Sequence, residues 1–210
     1  MELQYYGGNC IKVITKKATV VIDDNIKELG GSDVAKPSDI QLFTTRLTGS
    51  SPKGSLIIDG PGEYEASNVS ISGVAARAHV DETDMKNATI YKIVADNIRL
   101  AIIGHVYPDL KEAQLEAIGI VDVLIVPVGG HGFTLDTVGA LKVIKQIEPK
   151  IIIPTQYEVK GLAYPVPAIS LEESLKGLVM EPKDIVSKLK LKSSDMLSEQ
   201  MQLIVLEKQK

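Results

Sequence analysis

Alternating hydrophobic and polar residues dominate the first half of the chain and predict β-strands. The runs "MELQYY", "CIKVIT" and "ATVVID" are short, and the breaks "GGN" and "KK" between them suit hairpins. Two more strands are predicted at "DIQLFTT" and "SLIID", a tight turn at "DGPGEYE", and a long alternating strand at "NVSISGVAARAHV". The run "ATIYKIVADNIRLAIIGHV" predicts a hairpin that turns at Asp96 and Asn97. The polar segment 26–38 predicts a loop.

The second half of the chain alternates between helical spacing and continuous apolar runs. "DLKEAQLEAIG" predicts a helix that stops at Gly119, and "LDTVGALKVIKQI" predicts another that is capped by Thr134. "VDVLIVPV" and "KIIIPT" are typical of strands covered on both faces, so this region predicts a parallel βαβ unit. A short helix capped by Ser170 and the strands "SKLKLK" and "MQLIVLE" follow. We predict one α/β domain over residues 1–210, with two mixed β-sheets and outer helices.

Composition narrows the class of protein without naming a function. The 210 residues are 44% hydrophobic and 24% charged, which is typical of a globular chain that buries a full core. A net charge of −4 argues against nucleic acid as a partner, because phosphate binding needs a clustered positive surface. No apolar stretch is long enough to span a membrane and no signal peptide pattern is present, so a cytoplasmic protein is expected. Cys10 is the single cysteine, which excludes an internal disulfide.

The three histidines each follow a predicted strand. His79 ends the long alternating strand, His105 follows "RLAII", and His131 lies in the "GGHG" loop. Sites in open α/β sheets lie at the carboxyl ends of strands, so three converging histidines would form a credible zinc site. The alternative is that strand ends and loops simply tolerate polar residues. We expect all three to lie at one edge of the sandwich.

Several quoted stretches resemble the metallo-β-lactamase superfamily along nearly the whole chain. They are the opening hairpins, "IDGPGEYEASNVSISGVAARAH", "LEAIGIVDVLIVPVGGHGFTLD" and "IEPKIIIPTQY". The chain looks most like the small branch of zinc-dependent hydrolases that includes the L-ascorbate-6-phosphate lactonase-like proteins. The resemblance implies a four-layer αβ/βα sandwich and, for intact members, a metal that activates water.

The ligand motifs of that family are largely missing here. The family pattern Thr-His-x-His-x-Asp-His falls on "TTRLTGS", and the histidine of Pro-x-His-Tyr falls before Tyr157. Aliphatic and glycine side chains offer no ligand, and hydroxyls are poor ones. The vacated metal-site positions implied by the resemblance are Thr45, Leu47, Gly49, Ser50 and Gln156.

A residual site is the other possibility. His79 occupies a family ligand position, and the family's metal-bridging Gly-Asp is expected near Asp109, offset by one residue. Catalytic zinc usually needs three protein ligands, so no metal cofactor is expected. The alternative is a hydrolase with a rebuilt site, in which His79, His105, Asp109 and His131 hold a metal such as zinc or act as acid/base groups.

The family resemblance and the missing ligand motifs leave three possible functions. The first is a non-catalytic binding or assembly module that pairs with itself or with an intact relative. The second is the hydrolase with a rebuilt site. The third is a vacated pocket that binds a small anionic metabolite, with Arg46 replacing the positive charge of the lost metal.

Overall fold

The chain folds into two β-sheets and three α-helices, in a computed structural model that describes residues 1–45, 52–82, 85–194 and 197–210. The first strands are β1 (Glu2–Gly7), β2 (Cys10–Ile14), β3 (Thr19–Ile22), β4 (Ile40–Leu42), β5 (Leu56–Ile58), β6 (Gly62–Ala66) and β7 (Val69–Ala76). The others are β8 (Ala88–Ala95), β9 (Ile98–Ile102), β10 (Val123–Pro127), β11 (Ile151–Thr155), β12 (Asp184–Val186), β13 (Leu189–Lys190) and β14 (Gln202–Leu206). The helices are α1 (Glu112–Ile118), α2 (Thr137–Ile147) and α3 (Leu171–Leu178).

Both sheets are mixed. The six-stranded sheet has the order β13-β1-β2-β3-β4-β5, and the eight-stranded sheet has the order β12-β14-β11-β10-β9-β8-β7-β6. Strand β10 pairs in parallel with β9 and β11, whereas β6 to β9 form an antiparallel meander. The predicted fold class of two mixed sheets with outer helices is therefore confirmed.

The hydrophobic core lies between the sheets because the alternating strands turn their apolar faces inward. Leu3 and Tyr5 of β1 are fully buried, and the Tyr5 ring lies 5.4 Å from the ring of Tyr157, which follows β11 in the other sheet. Strands β10 and β11 are buried along their whole lengths, as expected for strands covered on both faces. Helices α1 and α2 cover the eight-stranded sheet by packing on β7 and β10, and α3 packs on α2.

The outer face of the six-stranded sheet is covered differently. Among the described residues, the segment between β3 and β4 contains turns and no helix. Its Ile26, Leu29 and Val34 form a second small core with Cys10 and Val21 on the outward face of β2 and β3. The predicted loop at 26–38 is therefore held by this packing together with turn hydrogen bonds, such as Leu29 to Ile26, and by the Asp24 side chain, which accepts from the Val34 and Ala35 amides.

Two local predictions are corrected by the structure. Helix α2 is capped by Asp136, whose side chain accepts a hydrogen bond from the Gly139 amide, and not by Thr134. The segment "DGPGEYE" is not simply a tight turn, because β6 begins within it at Gly62. The hairpin of β6 and β7 turns after this segment, at Ser67 and Asn68, which both adopt positive φ.

Other predicted details agree with the structure. The β8–β9 hairpin turns at Asp96 and Asn97, α1 ends at Gly119, and Ser170 caps α3. In the part of the chain that the structure describes, no helix is both long and apolar enough to cross a bilayer.

Candidate functional site

Five polar side chains meet between the two sheets, each at or next to a strand end. Asp23 and Thr44 follow β3 and β4 of the six-stranded sheet, and Asn9 precedes β2. His105 follows β9, and Thr155 ends β11 of the eight-stranded sheet. All five are buried, with at most 8% of any residue exposed. We call these five residues the polar chain.

Hydrogen bonds connect the polar chain from one sheet to the other. The Thr44 hydroxyl donates to Asp23 Oδ2 at 2.6 Å, and the Thr44 amide donates to Asp23 Oδ1 at 2.7 Å. His105 Nδ1 lies 3.1 Å from Thr44 Oγ1, and His105 Nε2 lies 3.4 Å from Asn9 Nδ2. Asn9 Oδ1 in turn accepts from the Thr155 hydroxyl at 2.9 Å.

These partners assign the tautomer of His105. The Thr44 hydroxyl proton is directed at Asp23, so Thr44 Oγ1 accepts from the proton on His105 Nδ1. The lone pair on His105 Nε2 then accepts from the Asn9 amide. Both ring nitrogens of the neutral imidazole are therefore engaged within the protein.

Burial shifts the pKa values of the two titratable residues of the polar chain, His105 and Asp23. Desolvation lowers the pKa of His105 below its usual value, and the neighbouring Asp23 carboxylate opposes this only in part. Desolvation also raises the pKa of Asp23, against the opposing effects of His105 and the two hydrogen bonds from Thr44. The environment thus favours a neutral His105.

Gly104 determines how closely the two sheets approach at this point. It has φ +60, and a Cβ added there would lie 2.3 Å from the Cβ and the Oγ1 of Thr44. Any side chain at this position would displace Thr44 from the polar chain. Position 104 therefore favours glycine both because φ is positive and because there is no space for a side chain beside Thr44.

His79 lies beside the polar chain and outside its hydrogen bonds. The His79 amide donates to the His105 carbonyl at 2.7 Å, and His79 Nδ1 lies 3.1 Å from the Gly132 carbonyl oxygen. Its ring is 5.7 Å from that of Tyr107, on which the Arg77 guanidinium stacks at 4.0 Å. The contact with Gly132 places a proton on Nδ1, because a carbonyl oxygen can only accept.

The loops that carry the three histidines lie together, but the side chains differ in environment. His131 is exposed, with φ +56 in the turn that also holds Gly132. Phe133 of the same loop packs edge-on against His105 at 5.0 Å between ring centroids. Asp109 faces solvent and forms ion pairs with Lys111 and Lys142, which lower the pKa of its carboxyl group.

Of the vacated positions, Thr45 and Gln156 fall within the described residues. Thr45 forms an isolated antiparallel bridge with Ala88. Gln156 is 7% exposed, has φ +57, and donates its amide to the Gly8 carbonyl at 2.8 Å. Leu47, Gly49 and Ser50, together with Arg46, lie outside the described residues.

The described residues do not fit the zinc that the family resemblance implies. Within residues 1–45, 52–82, 85–194 and 197–210, no three His, Cys, Asp or Glu side chains are grouped so that they could hold a metal ion. Outside these ranges, the segment "RLTGSS" at 46–51 contains none of these residue types, and the two shorter gaps contain one aspartate each, Asp84 and Asp195. His105 can ligate a metal only by giving up Asn9 or Thr44, and the charge of Asp109 is already balanced by two lysines.

Most of the polar chain escaped the sequence prediction. His105 was singled out, but Asn9, Asp23, Thr44 and Thr155 were not. The one partial signal is that each of these four lies at or near the end of an apolar strand. Their common feature is a strand end rather than a spacing, and no single stretch of sequence displays it.

Comparison with known proteins identifies the family. Residues 2–156 match the family model described as the beta-lactamase superfamily domain, and the chain belongs to the metallo-β-lactamase superfamily. No curated protein matches the chain in sequence. The more specific lactonase-like branch stays a prediction.

Solved structures show the same fold at low sequence identity. A candidate Zn-dependent hydrolase of this superfamily from Thermotoga maritima has a TM-score of 0.74 and 23% identity, covering 98% of each chain. A candidate metal-dependent hydrolase from Parabacteroides distasonis has a TM-score of 0.64 and 14% identity, covering 99% of this chain and 93% of its own. A metallo hydrolase from Ignicoccus hospitalis has a TM-score of 0.59 and 18% identity, covering 85% and 90%.

Proposed function

We propose that this protein is a metal-independent member of the superfamily that acts by binding or assembly rather than by hydrolysis. The observation that carries the proposal is the polar chain, in which both ring nitrogens of His105 already have partners inside the protein. Buried polar groups that are fully paired add to the specificity and rigidity of a fold. The polar chain therefore joins the two sheets in a region where relatives are expected to carry a metal.

The position of His105 supports this proposal. The family's Gly-Asp pair is better matched by Gly104 and His105 than by Asp109, because Gly104 lies in the turn just after β9 and packs on Thr44. Thr44 is the threonine that opens the family pattern laid on "TTRLTGS". An imidazole in place of the bridging carboxylate removes a negative ligand, and it supplies the donor and the acceptor that Thr44 and Asn9 require.

Metal content and metal dependence test the proposal together. Protein purified without chelator is subjected to elemental analysis, and its thermal unfolding is compared with and without EDTA. We expect no stoichiometric transition metal and the same unfolding temperature in both conditions. About one zinc, iron or manganese per chain that is lost on His79→Ala substitution would overturn the proposal and support the hydrolase with a rebuilt site. Lys17→Ala, at an exposed residue outside the rebuilt site, is the control.

Binding of a small anion with Arg46 remains a separate prediction. Arg46 lies outside the described residues, so the described contacts neither favour nor oppose this site. Pairing with an intact relative likewise stays a prediction.

A further inference from the structure

A cavity of about 350 Å³ lies at the carboxyl ends of the parallel strands β3 and β4. Asp24 and Asn25 line it from the segment after β3, and Phe43 lines it just after β4. Gln41 lines it from the face of β4 that points away from the main core. Its described lining residues include no member of the polar chain. Both its size and its place at strand ends are typical of small-molecule sites.

The Asp24 carboxylate is held in place by the segment that crosses from β3 to β4. Its Oδ2 accepts hydrogen bonds from the Val34 amide at 2.9 Å and from the Ala35 amide at 2.8 Å. Its Oδ1 is shielded from solvent and has no hydrogen-bond partner among the described residues, and the same is true of Asn25 Oδ1. Buried acceptors destabilise a fold unless a donor reaches them. The wall of the cavity therefore has two acceptors to offer to a ligand that carries donors.

The ionisable side chains that line the cavity leave one negative charge unbalanced. They are three carboxylates and two ammonium groups, from Asp24, Glu28, Asp33, Lys27 and Lys53. Asp33 pairs with Lys53 at 3.3 Å, whereas no ion pair of the described residues engages Asp24. Burial raises the pKa of Asp24, and its two amide hydrogen bonds and the charge of Lys12 oppose this only in part. A cation inside the cavity would balance the Asp24 carboxylate.

The chemistry of the cavity favours an organic cation over a metal ion. Calcium takes about six to eight oxygen ligands, and Asp24 belongs to no metal-ligating group of side chains within the described ranges. An ammonium or amidinium group needs only a carboxylate oxygen and a neutral acceptor, because it supplies its own directed donors. Phe43, Ala35 and Pro52 add apolar wall for the body of such a ligand.

We propose that this cavity binds a small organic cation, whose positive group donates to Asp24 Oδ1 and whose apolar part packs on Phe43. Asn25 Oδ1 accepts a second hydrogen from the same group. The inference goes beyond the proposed function, since it assigns a ligand site outside the polar chain. It does not depend on the loss of the family metal.

Titration with two cations and a neutral analogue tests the site. The probes are benzylamine and benzamidine, which are positively charged at neutral pH, and benzyl alcohol, which is not. Binding is followed by NMR through the backbone amide signals of Val34 and Ala35, because both amides donate to Asp24. We expect at least one cation to shift these signals in a saturable way below roughly 10 mM, and benzyl alcohol to leave them in place.

Two substitutions of the same kind separate Asp24 from the general charge of the cavity. Asp24→Asn removes the charge and keeps an oxygen that can accept from Val34 and Ala35, and it should weaken cation binding by roughly 10-fold or more. Asp33→Asn is the matched control, because Asp33 is an exposed lining residue that already pairs with Lys53. It should weaken binding by less than about 3-fold.

The site is wrong if neither cation gives a saturable shift in the wild type, or if benzyl alcohol binds as well as the cations. Equal weakening by the two substitutions would also contradict it, because the effect would then belong to the net charge of the surface. If Asp24→Asn does not fold, the wild-type titration decides alone. Metal content separates the two proposals. Cation binding by a metal-loaded protein contradicts only the proposed function, and a metal-free protein that binds neither cation contradicts only this site.

Discussion

His105 Nδ1 lies 3.1 Å from Thr44 Oγ1, and this contact joins the end of β9 in one sheet to the end of β4 in the other. The contact is possible because Gly104 leaves room for Thr44. It places an imidazole in the interior, where Nδ1 depends on the Thr44 hydroxyl for its hydrogen bond. The stability of the fold should therefore respond to this pair more strongly than to any exposed histidine.

Substitution of His105 by alanine should lower the free energy of unfolding by about 3 kcal/mol, because Thr44 and Asn9 lose a partner and a cavity forms. Urea denaturation measures the change. His131→Ala is the matched control, since His131 is exposed and the change there should stay within about 0.5 kcal/mol. Equal effects of the two substitutions would mean that the polar chain contributes nothing to stability.

The pH dependence of stability should carry the signature of a buried neutral histidine. The pKa of His105 is lowered in the folded protein, so the unfolded chain takes up a proton near pH 6.5 that the folded protein does not. Stability should then decrease as the pH falls below about 6.5, by at most about 1.4 kcal/mol per pH unit.

The raised pKa of Asp23 acts in the opposite direction at more acidic pH. The folded protein binds this proton before the unfolded chain does, so the contribution of Asp23 to stability rises as the pH falls toward 3.8.

Denaturation of the wild type and of His105→Asn between about pH 7.5 and 5.5 isolates the contribution of His105 to the pH dependence of stability. The slope should become shallower in the variant, and an unchanged slope would assign it to another group.

Two glycines with positive φ should respond very differently to alanine. Gly132 has φ +73 and open space around an added Cβ, so Gly132→Ala should cost only about 1 kcal/mol of backbone strain. Gly104 has φ +60 and an added Cβ would overlap Thr44, so Gly104→Ala should cost the same strain and disrupt the polar chain as well. Chemical denaturation of the two variants gives the comparison. Similar losses would show that the sheets can separate at Gly104 without penalty.

Restoring the family pattern should create zinc affinity. The substitutions are Thr45→His, Leu47→His, Gly49→Asp, Ser50→His and Gln156→His, with His79 as a further ligand. If the strand ends still hold these positions in register, calorimetric titration should detect zinc binding that the parent lacks.

The position of His105 in the structure suggests a second version of the zinc-binding test, with a sixth substitution. His105→Asp added to the five substitutions also replaces the residue that we match to the bridging carboxylate. We expect tighter zinc binding in the six-fold variant than in the five-fold variant. A folded six-fold variant that binds zinc no better than the parent would show that the pattern is wrongly aligned on "TTRLTGS".

Much of the fold follows from local patterns. The strands of the β8–β9 hairpin alternate, and Asp96 and Asn97 tolerate the positive φ of its turn. Strand β12 was missed because three residues with exposed Asp184 and Ile185 show no periodicity, and its pairing with β14 is a long-range contact. The cap of α2 was placed at Thr134, two residues too early, because threonine and aspartate both suit a cap and only the backbone geometry distinguishes them.

The candidate site was less predictable than the fold. The assignment of Thr45 and Gln156 as vacated ligand positions rests on the family pattern laid on the sequence, and it stays a prediction. The hydrogen bonds that connect Asn9 to His105 and Thr155 could not, because these residues are far apart in sequence and meet only when the two sheets pack. Positive φ at Gln156, a position where glycine or asparagine is more usual, also has no local sequence signal.

Short connections join the two sheets at both of their edges. Two residues separate β12 of the eight-stranded sheet from β13 of the six-stranded sheet, and three separate β5 from β6 at the opposite edge. Because a short connection ties each edge, the two sheets cannot separate at either edge without breaking strand pairing there. Neither sheet can detach as an independent folding unit, so the domain should melt in a single all-or-none transition.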